Sequence, residues 1–373
     1  MLKMTTSCWM TLVDNRSMGR TLKTRSALLA SFWFGLCLFL SSCSGEPEAE
    51  VTRLSGMTMG TTYNITLVTE GEVEDLANLK ALVNNALAVV NQQMSTYIDN
   101  SEINRLKAQP VGEWIKVSRP LAEVLDVSLW VSEMSDGAFD VTLRPLVDLW
   151  GFGPGQEEDK VPTDDEILKA QSRVGYQHLE LDKAGLRVKR DKPIDLDLSA
   201  VAKGYGVDVL AELLEHEGIN HYLVEIGGEM RLKGHNPRGI PWRIAVERPD
   251  ETLVQSVYQP LSVTNMGVAT SGDYRNYFEK DGVRYSHTID PRTGRPIRHN
   301  LVSVTVLSPS CAKADALATA FSVLGAEDAL TLANREGIAA LFIIKESGQL
   351  KEVSSEAFKP YLTEPVAKAT PVQ

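Results

Sequence analysis

Residues 270–296, TSGDYRNYFEKDGVRYSHTIDPRTGRP, hold a histidine and an aspartate three positions apart, His287 and Asp290, among hydroxyls, arginines and glycines. An imidazole titrates near neutral pH, so His287 is suited to take a proton from a hydroxyl. Residues 284–289 read as a short strand entering Asp290-Pro291-Arg292-Thr293-Gly294, where proline presets φ and glycine permits a positive one. The same residues equally suit a hairpin with a solvated charged tip. A second pair, Asp315 and Thr319, lies one turn apart in a predicted helix over 311–324. With carbonyls near 199–202, it offers the oxygens that a hard cation such as magnesium takes, the rest coming from water and phosphate. Alone, such a pair is more often simply solvated or capped. Residues 197–204, DLSAVAKG, read as a strand-to-helix junction, whose free amides and positive dipole end attract anions. The chain has no Cys-x-x-Cys, His-Glu-x-x-His, Gly-x-Ser-x-Gly or Walker loop.

The elements that must position these groups are strands and helices in mixed order. Residues 51–68 are strand-like around 57–62, MTMGTT, where a glycine between hydroxyls is first read as a bulge. Apolar residues at helical spacing predict helices over 76–94 and 120–134. Tyr97, after the first of these, can stack on a planar ligand, although packing is the commoner role for a tyrosine at a helix end. Residues 138–153, AFDVTLRPLVDLWGFG, read as a ligand-wrapping loop rather than a regular element. A short helix near 167–171, a hairpin over 178–189, a helix over 201–217, strands over 222–226, 229–234, 242–247, 257–263 and 301–307, and a helix–strand–strand ending over 327–353 complete an α+β body. The polar residues 363–373 read as a disordered tail.

Composition bounds the partners. The formal net charge is −11, and residues 1–42 carry five basic side chains against Asp14, so the remainder carries −15. Such acidity argues against nucleic acid as a partner, since a phosphate backbone needs a basic face. The apolar run over 27–40 follows basic residues, is short for a membrane span, and ends at Leu40-Ser41-Ser42-Cys43. We read 1–42 as a lipoprotein signal peptide, Cys43 as the lipidated residue and 43–50 as a tether, with Met18 a more typical start than Met1. Cys311 is then the one cysteine left in the folded body, which excludes an internal disulfide.

Ordered motifs add a resemblance. MGTTYNIT, MSTY, FDVTLRPLVDLWGFG, DLSAVAKGY, VEIGGE, the run from Ala269 to Pro296, SVTV and ADALATA together resemble the ApbE family of bacterial FAD:protein FMN transferases. The resemblance implies an α+β, ApbE-like (T-fold-related) single large unit with mixed, mainly antiparallel sheets over 51–362. It implies Mg2+-dependent transfer of the FMN moiety of FAD to a threonine hydroxyl of an acceptor protein, with release of AMP. FAD would touch Met59, Tyr97, Ala138, Phe139, Asp140, Asp197, Lys203 and Ile289. Mg2+ would be held by Ala200, Asp315, Ala318 and Thr319. His287 is the natural base, and Arg292, Arg295 or Lys203 can pair with phosphate charge. The acceptors would resemble flavinylated subunits of the Na+-translocating NADH:quinone reductase and related electron-transport complexes, met by a lipid-anchored enzyme on the periplasmic side of the bacterial inner membrane. The same motifs also suit an FAD pyrophosphatase giving FMN and AMP, or a non-catalytic flavin-binding lipoprotein.

Overall fold

Residues 50–69 bury alternate side chains, among them Leu54, Tyr63, Ile65 and Leu67, and fold into a hairpin of β1 (Glu50–Thr58) and β2 (Thr61–Thr69). Met59 and Gly60 link them, both with positive φ (49° and 73°). This is a two-residue turn whose twist matches the strands, and it replaces the expected bulge. The computed structural model describes residues 49–153, 161–247, 257–272, 277–280 and 282–362. The leader with Cys43, and the tail over 363–373, lie outside the described residues.

The remaining strands are β3 (Ile115–Lys116), β4 (Leu179–Asp182), β5 (Arg187–Arg190), β6 (Tyr222–Ile226), β7 (Glu229–Lys233), β8 (Trp242–Glu247), β9 (Val257–Val263), β10 (Met266–Gly272), β11 (Tyr277–Lys280), β12 (Val283–Ser286), β13 (Ile289–Asp290), β14 (Arg295–Pro296), β15 (Leu301–Ser308), β16 (Ala339–Glu346) and β17 (Gln349–Ser354). Eight form one antiparallel sheet in the order β1-β2-β6-β7-β10-β15-β16-β17. The helices are α1 (Leu76–Met94), α2 (Glu102–Lys107), α3 (Arg119–Met134), α4 (Arg144–Leu149), α5 (Asp164–Gln171), α6 (Ala202–His216), α7 (Cys311–Leu324) and α8 (Ala326–Glu336).

The sheet is covered on both faces. Ala340 and Phe342 of β16 join the core beneath α3 and α7, while Leu341 and Ile343 join a second core with Trp242, Leu261 and Phe358. Double coverage explains the near-continuous apolar run of β16. On α7, Ala314, Ala316, Ala318 and Ala320 are all buried, and small side chains there let other elements approach closely. A Cβ on Gly204 of α6 would lie 2.4 Å from the Cys311 carbonyl oxygen, and one on Gly267 of β10 would lie 2.6 Å from the Cys311 backbone. Two glycines therefore set the depth at which α7 sits.

Helices α1 and α7 match the sequence expectation end to end. Other segments differ. The 138–153 stretch contains α4, which Pro145 starts, so it is not loop throughout. The strand expected over 284–289 breaks at His287-Thr288 between β12 and β13. No strand precedes 197–204; Asp195 makes only an isolated parallel bridge to Leu143, so α6 follows a loop. Sequence reasoning missed α2 and the central strand β10, whose MGVATSG is poor in strand-forming residues and is held by its neighbours on both sides.

Candidate functional site

The chemistry gathers where α6 begins against α7. Its first turn lacks a side-chain cap, and the Gly204 N–H donates to Asp315 Oδ2 at 2.9 Å, across the two helices. In a continuous helix that N–H would meet the Ala200 carbonyl. Among the described residues no backbone N–H takes the Ala200 carbonyl in its place. Asp315 is 5% exposed, and Thr319 stands one turn along α7 on the same side. A carboxylate, a hydroxyl and a spare carbonyl make the all-oxygen donor set that suits a hard divalent cation. Ala318 is buried and offers only its carbonyl, which in a helix interior faces the N–H four residues on.

Lys203, one residue before Gly204, places its Nζ 2.8 Å from Glu229 Oε1 at the start of β7. Burial lowers the lysine pKa, but the Asp315 and Glu229 carboxylates outweigh it and raise the net value, so the ammonium stays charged. Glu229 is 4% exposed, and among the described residues its Oε2 has no hydrogen-bond partner. Burial, and then the Asp315 charge, raise its pKa above the usual carboxylate range, against the pull of Lys203. Two buried carboxylates thus act on one ammonium that bonds to Glu229 alone, an arrangement that is costly unless further positive charge offsets it. Glu229 is the site residue that sequence reasoning missed; it ends VEIGGE, the motif given no role. An acid directly after a Gly-Gly turn, at a strand position that should face the core, was the available signal.

Glycines make room around this cluster. A Cβ on Gly227 would come 2.8 Å from Thr61 Cγ2 and 3.4 Å from Lys203 Cδ, and one on Gly206 would come 2.9 Å from Met59 Cε. Met59, at the β1–β2 turn, is half-buried beside α6 and thus joins the cluster. Tyr97 is 73% exposed, so the commoner packing role does not apply and its ring remains open to stacking.

The other predicted contacts form a second group. The Asp197 N–H donates to the Val141 carbonyl at 2.7 Å, tying the segment around Ala138, Phe139 and Asp140 to the approach of α6. Asp197 Oδ1 accepts from the Ser199 N–H and hydroxyl. The Asp140 carboxylate accepts from the Thr142 N–H, the Thr142 hydroxyl and the Tyr176 N–H. Burial raises its pKa despite those bonds. Both aspartates therefore shape the loops. Ala138 and Phe139 are 1% and 2% exposed, so only their backbones can meet a ligand.

His287 is half-buried, with its ring edge-on to Phe152 at 6.4 Å between centroids. Ile289 is 2% exposed, in a cluster with Leu146, Trp150, Phe278 and Tyr285; its side chain belongs to that core, and a flavin contact is left to its backbone. The Asp290 carbonyl accepts from the Thr293 and Gly294 N–H groups, and its carboxylate accepts from the Arg292 backbone and guanidinium. Arg295 pairs with Asp164 at 2.5 Å. Both arginines thus hold the turn and its neighbour through acids of this chain, rather than standing free for phosphate. The Trp150 indole N–H donates to the Gly294 carbonyl at 2.8 Å, which pins the turn to the α4 segment.

The sequence profile of the ApbE family matches residues 59–342. The FAD:protein FMN transferase of Vibrio cholerae serotype O1 is 46% identical over 329 residues, 87% of this chain and 96% of that protein. That of Escherichia coli K12 is 40% identical over 351 residues, 91% of this chain and 97% of that protein. The solved flavin transferase ApbE from Vibrio cholerae superposes with a TM-score of 0.78 at 45% identity, covering 84% of this chain and all of that one.

Proposed function

The chain belongs to the ApbE family, and from that premise we propose how it acts: as an enzyme that transfers the FMN moiety of FAD to acceptor proteins, in a Mg2+-dependent reaction at a threonine hydroxyl. The transferase activity follows from relatives of that name matched over nearly their whole length. The observation that carries the finer reading is the contact of Gly204 N–H with Asp315 Oδ2, which leaves the Ala200 carbonyl spare where an acid meets the helix start, with the Thr319 hydroxyl one turn along from that acid.

A threonine hydroxyl is a weak nucleophile at neutral pH, and attack on a diphosphate gathers negative charge. His287 takes the hydroxyl proton as the oxygen bonds to the flavin-side phosphorus, and the bond to the AMP phosphate breaks. Lys203 meets phosphate charge as a fixed ammonium. Asp315, Thr319 and the Ala200 carbonyl would hold Mg2+, which when bound neutralises diphosphate oxygens and the departing AMP. Tyr97 offers its exposed ring to the isoalloxazine. Acceptors of the electron-transport kind and a lipid anchor at Cys43, on the periplasmic side of the inner membrane, complete the reading; Cys43 follows an apolar run of signal-peptide length.

The test is to incubate the protein with FAD, Mg2+ and a threonine-bearing acceptor domain, then look for flavin fluorescence in a denaturing gel. A fluorescent acceptor band is expected. FAD consumed to FMN and AMP with no labelled acceptor would replace transfer by hydrolysis.

A further inference from the structure

Glu229 has no role in the reading above, yet it is a nearly fully buried acid touching the site's lysine. Lys203 has two carboxylates within electrostatic reach but bonds to only one: its Nζ lies 2.8 Å from Glu229 Oε1, while Asp315 is engaged by the Gly204 N–H. The β6–β7 connection fixes that choice. Gly227 and Gly228 both have positive φ (59° and 109°), the Gly227 N–H donates to the Thr62 carbonyl at 3.1 Å, and the Gly228 N–H to Glu225 Oε1 at 2.7 Å. Glu229 follows as the first residue of β7, paired with Ile226. Its backbone is therefore set by the sheet, and the bare Gly227 lets the turn close on Thr61 with the Lys203 stem beside it.

We infer that Glu229 is a positioning residue that keeps the Lys203 ammonium off Asp315, so that the Asp315 carboxylate stays open to a divalent cation. This rests on the assignment of Asp315 as the cation ligand. Without the Glu229 charge, a buried ammonium that has lost its counterion turns to the nearest remaining carboxylate, because an unpaired buried charge is costly. That carboxylate is Asp315, whose charge acts on Lys203 more strongly than that of Glu229 and which already takes the N–H of the adjacent Gly204. The lysine would then compete with the cation for it, although Glu229 need never touch the metal. Supporting groups around a metal site commonly tune affinity by about 10- to 100-fold.

The experiment measures Mn2+ binding to the protein without FAD, by titration calorimetry and by loss of the free-ion electron paramagnetic resonance signal. Glu229→Gln should weaken binding at least about tenfold. The double variant Lys203→Met with Glu229→Gln should recover most of the loss, because no ammonium remains to occupy Asp315. Glu229→Asp should fall between wild type and Glu229→Gln. Circular dichroism on each variant reports folding. Wild-type affinity in Glu229→Gln overturns the inference, and so does a double variant that folds yet binds as weakly as the single one. Asp315→Ala separates the levels: binding that survives it removes the cation assignment and this inference together. Binding lost in Asp315→Ala but intact in Glu229→Gln removes the inference alone.

Discussion

His287 illustrates how little a side chain's type says until its surroundings are known. The sequence supports a proton acceptor at a strand end and a solvated hairpin tip about equally. In the structure the residue interrupts the chain between β12 and β13, half-buried against Phe152. Neighbouring Asp290 is committed to its own turn, which leaves the imidazole as the group of that segment suited to proton transfer. His287→Ala should leave FAD affinity nearly unchanged while slowing transfer by about 10²- to 10⁴-fold, the usual share of general-base catalysis. Flavin fluorescence titration and single-turnover kinetics measure the two separately, and a wild-type rate would remove the base assignment. Other residues were legible only in part. Asp315 and Thr319 could be read from helical spacing, but Ile289 could not be resolved into backbone and side-chain roles, because it is buried in a cluster with Leu146 and Trp150, distant in sequence. Glu229 acquires meaning only through Lys203, which reaches it from another element.

The junction of α6 with α7 is the element-scale device on which the cation site depends. Asp208 of α6 accepts from the Ser310 hydroxyl and from the Cys311 and Ala312 N–H groups, so it caps α7 from outside while pairing with Arg231 at 2.9 Å. Gly204 completes the fit. For Gly204→Ala two effects compete. Helix propensity favours alanine by about 1 kcal/mol. The new Cβ, however, would sit 2.4 Å from the Cys311 carbonyl oxygen and 2.8 Å from Asp315 Cβ, and overpacking of this kind costs about 1–3 kcal/mol. Because the nearest atoms are backbone, we expect the clash to win, with a lower denaturant midpoint and weakened divalent-cation binding. A variant as stable as wild type would show that the helices can separate freely. The α7 span was readable because Ser310 caps it and its alanines mark a helix that packs closely. The strand that receives it, β10, was not, since Gly267 is there for the approach to Cys311 rather than for strand propensity.

At the scale of the whole molecule, the antiparallel sheet carries Glu229 and the β1–β2 turn on one side of α6, while its far end carries a histidine pair. His221 and His235 stack with centroids 3.7 Å apart, and the His235 N–H donates to His221 Nδ1 at 3.2 Å. Burial, and then the charge of His235, lower the His221 pKa from 6.5. The folded state therefore binds this proton less readily than the unfolded chain. The associated stability is present above about pH 6.5 and is lost as pH falls through the lower folded value. His235→Phe keeps a ring in the stack and removes the second charge, so its melting temperature should fall less steeply between pH 7 and pH 5 than that of wild type. Equal slopes would show that the pair does not sense protons. This coupling arises between strand ends and lies outside what local pattern can show, whereas the α+β class, most helices and most sheet strands followed from apolar patterning with turn and cap signals.

The most direct test of the central claim is the intact mass of an acceptor domain after incubation with FAD, with released AMP measured in the same sample. The account predicts that the acceptor gains one FMN moiety on a threonine, that AMP appears in equal amount, and that both disappear with a chelator or with Asp315→Ala. AMP formed without mass gain on the acceptor, or full labelling in the chelated Asp315→Ala sample, would contradict it.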